Sequence, residues 1–187
     1  MRIIGGELRG RRLLAPPGGK IRPTSDRVRE AIFDILGPAW NFPRVLDLFA
    51  GTGALGIEAV SRGAGEAVFV EQGKGALIVL KGNLKALSLK SRAWILPVAA
   101  KRGIAILAEK GMVFNLIFID PPYGKGLADK ALEEIINGAI LAATGIIVVE
   151  HSSREEIVPP VGLARSQQRR YGDTSVSFYI EAAPALK

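Results

Sequence analysis

The chain has 187 residues and not one cysteine, which excludes disulfides, thiolate zinc sites and mechanisms built on a cysteine nucleophile. Histidine occurs once, as His151, so a multi-histidine metal site is excluded and a Ser–His–Asp triad disfavoured. No metal is expected. Long apolar runs are missing too. The uncharged stretch Asn137 to Val149 falls short of the roughly 20 apolar residues of a membrane helix. Met1 to Arg12 lacks the apolar core of a secretory signal, so the expectation is a cytoplasmic location without a membrane partner. Aromatic residues amount to 6%, and Trp40 and Trp94 read as packing residues. Against these absences stand 48% hydrophobic and 23% charged residues, ordinary values for a globular domain with its own core.

The net charge of +7 is unevenly spread. Residues 1–30 hold eight basic side chains and three acidic ones, so five of the seven excess charges fall there. A basic end on a near-neutral body is the footprint expected for a polyanion partner. A solvated, solubilising face has the same composition. The basic end is rich in arginine and has no aromatic residue before Phe33, which favours phosphate contact over base stacking. Arg2, Arg9, Arg11, Arg12 and Arg22 are the candidate contacts, with Thr24 beside them. Residues 1–22, punctuated by Gly5-Gly6, Gly10 and Pro16-Pro17-Gly18-Gly19, read as a hairpin arm with a long loop.

The main domain is expected over 23–187. Pro23-Thr24-Ser25 opens a helix (24–36) with Val28, Ala31, Ile32, Ile35 and Leu36 on one face, ended by Gly37-Pro38. From residue 44 the chain alternates. Strands are expected at Val45–Phe49, Ala67–Val70, Trp94–Val98, Leu116–Ile119 and Ile146–Val149. Helices are expected at Ala54–Arg62, Gly75–Leu87, Lys101–Lys110 and Ala128–Ala143. Such alternation builds βαβ units and a parallel sheet covered on both faces. Two further strands, Ala164–Tyr171 and Ser175–Glu181, pair antiparallel across Gly172-Asp173-Thr174. His151 reads as a rim residue. Arg165, Arg169 and Arg170 read equally as a solvated edge strand or as more polyanion surface.

Two strand ends carry chemistry. The first runs Asp47-Leu48-Phe49-Ala50-Gly51-Thr52-Gly53-Ala54-Leu55-Gly56, and Glu71 follows 20 residues after Gly51. Taken literally this is a dinucleotide fingerprint. A carboxylate at the loop mouth opposes a pyrophosphate, however, and suits a cationic ligand. S-adenosylmethionine has a sulfonium, an ammonium and no phosphate. Asp47 then receives its amino group and Glu71 its ribose hydroxyls. Phe49, Gly51, Gly53 and Gln72 complete the candidate cofactor set.

The second strand end is Asp120-Pro121-Pro122-Tyr123. Two prolines stiffen the backbone and remove two donors, leaving carbonyls and the Asp120 carboxylate as acceptors. Asp120 and the Pro121 carbonyl can hold both hydrogens of an exocyclic amine while Tyr123 stacks on the base. With no cysteine, methylation at pyrimidine C5 is excluded, since it proceeds through thiolate attack on the ring. Guanine N2 and adenine N6 remain equally open on these residues.

The chain resembles the bacterial 16S ribosomal RNA guanine-N2 methyltransferases. The likeness is carried by Met1-Arg2-Ile3-Ile4-Gly5-Gly6, Arg9-Gly10-Arg11, Arg22-Pro23-Thr24 with Asp26-Arg27-Val28-Arg29-Glu30, Asp47 through Gly53, Asp120-Pro121-Pro122-Tyr123 and Tyr171-Gly172-Asp173-Thr174. The glycine loop and the Asp-Pro-Pro-Tyr element are shared with amino-methyltransferases generally, whereas the arginine segments are specific. The resemblance implies a Rossmann-like, seven-stranded, mostly parallel α/β sheet of the class I S-adenosylmethionine-dependent methyltransferases. It also implies an antiparallel last strand, an N-terminal hairpin for RNA and guanine N2 of small-subunit RNA, or of the 30S particle, as acceptor. Monomeric action is expected. The class usually places Asp or Asn after strand three to hold the cofactor adenine. Here Pro97-Val98-Ala99-Ala100 has neither, which leaves backbone groups at Ala99 and Ala100. The competing readings are an adenine-N6 methyltransferase acting on DNA or RNA, a non-catalytic nucleic-acid-binding module, and a nicotinamide oxidoreductase.

Overall fold

Ser25 caps helix α1 (Asp26–Leu36) by accepting the Val28 N–H, and Gly37 ends it at φ 70°. The computed structural model describes residues 1–15, 25–37 and 41–183, so Arg22, Thr24, Trp40 and the expected boundary at 22/23 lie outside the described residues. The following elements are β1 (Arg44–Leu48), α2 (Ala54–Ser61), β2 (Glu66–Val70), α3 (Lys74–Ala86), β3 (Ala93–Leu96), α4 (Ala100–Glu109) and β4 (Phe114–Ile119). Then come α5 (Leu127–Asn137), β5 (Leu141–Ser152), β6 (Leu163–Tyr171) and β7 (Thr174–Glu181). The seven strands lie in the order β3-β2-β1-β4-β5-β7-β6. The first five are parallel and β7 runs antiparallel between β5 and β6.

The apolar runs of the central strands are explained by cover on both faces. One core packs Ile32, Phe33, Ile57 and Leu80 of α1, α2 and α3 against Val45 and Phe118. The other packs Ile104, Leu107, Leu132 and Ile135 of α4 and α5 against Leu46, Ile117 and Ile147. Phe33 and Phe118 meet with ring centroids 5.8 Å apart at 56°, a tilted contact that contributes roughly 1 kcal/mol beyond its buried area.

Two expectations are corrected. The helix over Ala128–Ala143 stops at Asn137, because Gly138 ends it and Ala139 turns left-handed at φ 49°. The chain then enters β5 at Leu141, opposite Phe114, so β5 is longer than Ile146–Val149. Short apolar segments such as Ile140–Ala143 carry no periodicity that separates helix from strand, and sheet pairing decides. His151 is not on the rim. It is 1% exposed because β7 pairs alongside and sets Ser175 opposite it. Its Nδ1 donates to the Ser152 carbonyl at 3.0 Å and its Nε2 accepts from Ser177 Oγ at 2.9 Å. Burial holds its pKa below the ordinary value.

The N-terminal segment does turn back on itself. Arg2 and Arg12 form an antiparallel bridge, flanked by Ile3 N–H to Arg11 O (3.0 Å) and Leu13 N–H to Met1 O (3.2 Å). Ile3 and Leu13 are buried, and the segment lies on α2. Gly6 (φ 77°) approaches so closely that a Cβ there would stand 1.8 Å from the Ser61 carbonyl oxygen.

Candidate active site

The strand order reverses between β1 and β4, so their carboxyl ends open a crevice where α/β sheets bind ligands. Register brings the ends of β1, β2 and β4 level with Val149 of the longer β5: Leu48 pairs with both Val70 and Ile119, and Ile119 with Val149. The residues that follow are Phe49, Glu71, Asp120 and Glu150, and all four line one cleft of about 580 Å³.

The glycine loop forms one wall. Phe49, Gly51 and Gly53 all have positive φ, 76°, 55° and 81°. For a non-glycine residue such as Phe49 this costs roughly 1–3 kcal/mol, strain of the kind found at ligand sites. A side chain at Gly53 would also come 2.5 Å from Leu80 Cδ1. Asp47, 2% exposed, accepts the Gly56 N–H at 2.9 Å and so ties the first turn of α2 to the end of β1. Burial pushes its pKa up to about 7, with the nearby Glu71 adding and the Gly56 bond opposing. Glu71 spans the cleft edge: one oxygen accepts the Gly51 N–H (2.8 Å), the other the Gly73 N–H (2.6 Å). Each carboxylate oxygen has two acceptor positions, so this clamp is compatible with a hydroxyl ligand.

Gln72 and Ala100 line the cleft with Val98. Ala99 and Gly53 are not among the lining residues. Ala99 caps α4, with its carbonyl accepting the Gly103 N–H at 2.9 Å, and Gly53 caps α2 from beneath the loop. The first turn of α4, with its unpaired backbone donors, therefore stands where the class usually has an acid.

Asp120, Pro121, Pro122 and Tyr123 form the facing wall. Tyr123 is held by its hydroxyl, which donates to Glu150 Oε1 at 3.1 Å and lies 3.4 Å from Thr174 Oγ1. Burial, reinforced by the carboxylates of Glu150 and Asp120, drives its phenol well above the ordinary value, so it remains protonated. Glu155 accepts the Gly124 N–H (2.6 Å) and the Ser152 N–H (3.2 Å), fastening this wall to the end of β5. The sequence names neither Glu150 nor Glu155 as a site residue, and Thr174 only within the Tyr171–Thr174 segment of the resemblance. For Glu150 the signal was there: it follows an apolar strand run, as Glu71 and Asp120 do.

The cleft thus holds the carboxylates of Asp47, Glu71, Asp120 and Glu150, and Lys125 is the basic residue on its lining. That donor set fits a cationic ligand such as S-adenosylmethionine and opposes a pyrophosphate. Arg2, Arg9, Arg11 and Arg12 are exposed on the N-terminal segment, where Arg11 also donates to the Ala86 carbonyl at 3.1 Å. Arg29, counted in the basic end, is fully buried between Asp26 (2.9 Å) and Glu58 (3.6 Å) and offers nothing to a partner. Arg165, Arg169 and Arg170 are exposed on β6, with Arg169 and Arg170 at the cleft end of the sheet. Among the described residues no cluster of three or more acidic or histidine side chains could hold a metal. No helix among them is long and apolar enough to cross a membrane.

Comparison with known proteins shows the family and the fold. The ribosomal RNA small subunit methyltransferase D of Escherichia coli (strain K12) is 39% identical over 185 residues, covering 98% of this chain and 91% of that protein. The solved Escherichia coli structure yhhF, described as a candidate methyltransferase, superposes with TM-score 0.84 at 34% identity, covering 98% and 99% of the two chains. A Streptococcus mutans structure described as a candidate SAM-dependent methyltransferase matches with TM-score 0.67 at 16% identity over 85% of this chain and 49% of that one, a likeness of fold alone. The fold is that of the class I S-adenosylmethionine-dependent methyltransferases. Residues 1–180 match the family model described as Conserved hypothetical protein 95, and the chain belongs to that family, the one of the small-subunit methyltransferase D proteins.

Proposed function

We propose that the protein transfers a methyl group from S-adenosylmethionine to the exocyclic N2 of a guanine in small-subunit ribosomal RNA. The observation that carries this reading is the meeting of the glycine loop and the Asp120–Tyr123 wall in one acid-lined cleft. The name of the Escherichia coli relative supports the RNA substrate.

The cofactor brings a methyl carbon on a sulfonium, so that when the amine lone pair bonds to it the carbon–sulfur pair returns to sulfur as a thioether. The protein's own residues do the rest. Asp47 faces the ammonium, Glu71 the ribose hydroxyls, and Ala100, at the start of α4, offers its backbone to the adenine. The Asp120 carboxylate and Pro121 carbonyl accept the two amine hydrogens, which favours a pyramidal nitrogen with its lone pair turned to the methyl carbon. Asp120 then receives the proton that the methylated, cationic nitrogen releases. Tyr123 supplies the ring against which the base stacks, and the contacts of its hydroxyl with Glu150 and Thr174 anchor the far end of that ring. Positioning of this kind accounts for much of the acceleration in a direct displacement. Arg2, Arg9, Arg11 and Arg12 engage the RNA backbone, and Arg22 and Thr24 serve near the cofactor mouth or the flipped base.

The test offers methyl-labelled S-adenosylmethionine with unmodified small-subunit RNA, free and in assembled particles, beside duplex DNA, and identifies the labelled nucleoside. N2-methylguanosine is expected. Label in N6-methyladenine would overturn the base assignment while keeping the chemistry. Asp120→Asn should cut transfer about 100-fold or more and leave cofactor affinity within about twofold. Equal transfer by the variant would remove Asp120 from the reaction.

A further inference from the structure

The acceptor half of the cleft has a basic rim of its own. In the strand order β3-β2-β1-β4-β5-β7-β6 the acceptor wall follows β4, while α2, on which the N-terminal segment lies, packs against β1 and β2. On the other side of that wall stands the turn between β6 and β7. Thr174, 4% exposed, pairs with Ser152 of β5 and with Tyr171 of β6, and its Oγ1 lies 3.4 Å from the Tyr123 hydroxyl. Arg170 precedes Tyr171 on β6, so it is held at the cleft end of the sheet, beside the wall proposed to receive the base.

Strand β6 holds three arginines and no acidic residue. Charge on an edge strand discourages pairing with other chains wherever it falls, but that role does not account for how these side chains are arranged. Arg169 folds back on its own strand. Its Nη1 donates to the Gln168 carbonyl at 3.1 Å and, with the Gln167 amide turned to satisfy its neighbours, Nη2 and Nε donate to the Gln167 oxygen at 2.8 and 3.3 Å. Arg170 is built differently. Its Nε donates to the Gly172 carbonyl in the turn at 3.0 Å, and its two Nη groups have no hydrogen-bond or ion-pair partner among the described residues. Asp173 is the acidic residue exposed in the same turn. Tethering Nε restrains the guanidinium and leaves the Nη pair open to a planar, bidentate acceptor such as a phosphate. The carboxylates inside the cleft repel a backbone phosphate, so a strand that delivers a base there keeps its phosphates at the rim.

Resting on the RNA methyltransferase reading above, we propose that Arg170 binds a backbone phosphate and holds the RNA on the acceptor side of the cleft, opposite the N-terminal segment. The RNA is then gripped on both flanks of the entering base.

The test measures binding of small-subunit RNA, in the form that the wild-type protein labels, with S-adenosylhomocysteine present. Arg170→Gln should weaken binding about three- to tenfold and lower the slope of log affinity against log salt by about 0.7–0.9, the loss of one phosphate contact. Its single-turnover rate at saturating RNA should stay within about twofold of wild type. Arg165→Gln removes the same charge from the same strand roughly 16 Å away, beyond the Debye length of about 8 Å at physiological salt, and should leave affinity and slope unaltered. Unchanged S-adenosylhomocysteine affinity certifies the fold of each variant. An unaltered slope in Arg170→Gln would overturn the inference. So would an equal loss in Arg165→Gln, which would make the effect one of overall charge. A single-turnover rate that falls as far as the affinity would overturn it too, by placing Arg170 in the chemistry. A wild-type protein that labels no RNA refutes the underlying function, a failure distinct from an unaltered slope.

Discussion

Asp47→Asn is expected to stabilise the unliganded protein increasingly as pH rises from about 4 to about 7, and to leave it unaltered below that window. Asp47 is 2% exposed and keeps one backbone donor, Gly56, with Glu71 close by. Its pKa accordingly rises from the ordinary 3.8 to about 7. Between pH 4 and 7 the native chain therefore holds a proton that the unfolded chain has released, and stability falls as pH rises across that window. At about 1.4 kcal/mol per unit, the accumulated loss by pH 8 is on the order of 4 kcal/mol. Asparagine stays neutral at every pH and accepts the Gly56 bond through its amide oxygen. Urea denaturation at pH 5 and pH 8 should thus give a variant-minus-wild-type difference that grows by a few kcal/mol. His151, whose lowered pKa costs stability as pH falls, contributes equally to both proteins and drops out. The same logic applies to the ligand: a cation beside Asp47 favours its ionised form, so cofactor binding at pH 6 should release a proton and tighten toward pH 8. Calorimetry in two buffers of different ionisation enthalpy measures that proton. A pH-independent stability difference, together with binding that releases no proton, would refute the reasoning.

Glu58→Ala should cost about 3–5 kcal/mol in urea denaturation, because the buried Glu58 accepts the Ile4 (2.9 Å) and Gly5 (2.7 Å) N–H groups and pairs with Arg62 and the buried Arg29. A loss below about 1 kcal/mol, the range of an exposed pair, would show that this network does not hold the N-terminal segment. Reversing the exposed Arg9 and Arg12 to Glu should weaken RNA binding and lower the slope of log affinity against log salt by about 1.5–2, with cofactor affinity unchanged. An unaltered slope would remove these residues from the RNA surface.

How much of this was legible in the sequence depends on how local the cause was. Strand positions were readable because a parallel strand buried on both faces is apolar throughout, as Leu116–Ile119 is. The acid at a strand's carboxyl end was readable from position alone for Asp47, Glu71 and Asp120. What Glu71 does was not, since its bonds to Gly51 and Gly73 depend on how β1 and β2 lie together. The overlong helix at Ala128–Ala143 failed for a similar reason: Leu141 joins the sheet through Phe114, a partner distant in the chain. His151 looked like a rim residue because β7, which covers it, arrives later in the sequence. Arg29 looked like surface charge because its buried partner Glu58 lies two elements further on.

Helix α2 explains why the basic segment and the glycine loop come together. All eight of its residues are buried, so the sheet can cover only one side and residues 1–15 must cover the other. The segment's alternation follows: Ile3 and Leu13 point inward, while Arg2 and Arg12 remain exposed. Its polar fastenings fall on Glu58 and Ser61, in the second half of α2, while the first turn carries the glycine loop and its bond to Asp47. At the far end of the segment, Asn83 accepts the Leu14 N–H at 2.7 Å and donates to the Thr52 carbonyl at 2.9 Å, and Thr52 lines the cleft. One buried side chain therefore joins the basic segment to the loop proposed to hold the cofactor. Removing the segment would strip α2 of its cover and slacken that loop, so a deletion cannot separate RNA binding from cofactor binding. Reversing Arg9 and Arg12 can, because their charge lies on the outer face while the fastening lies beneath.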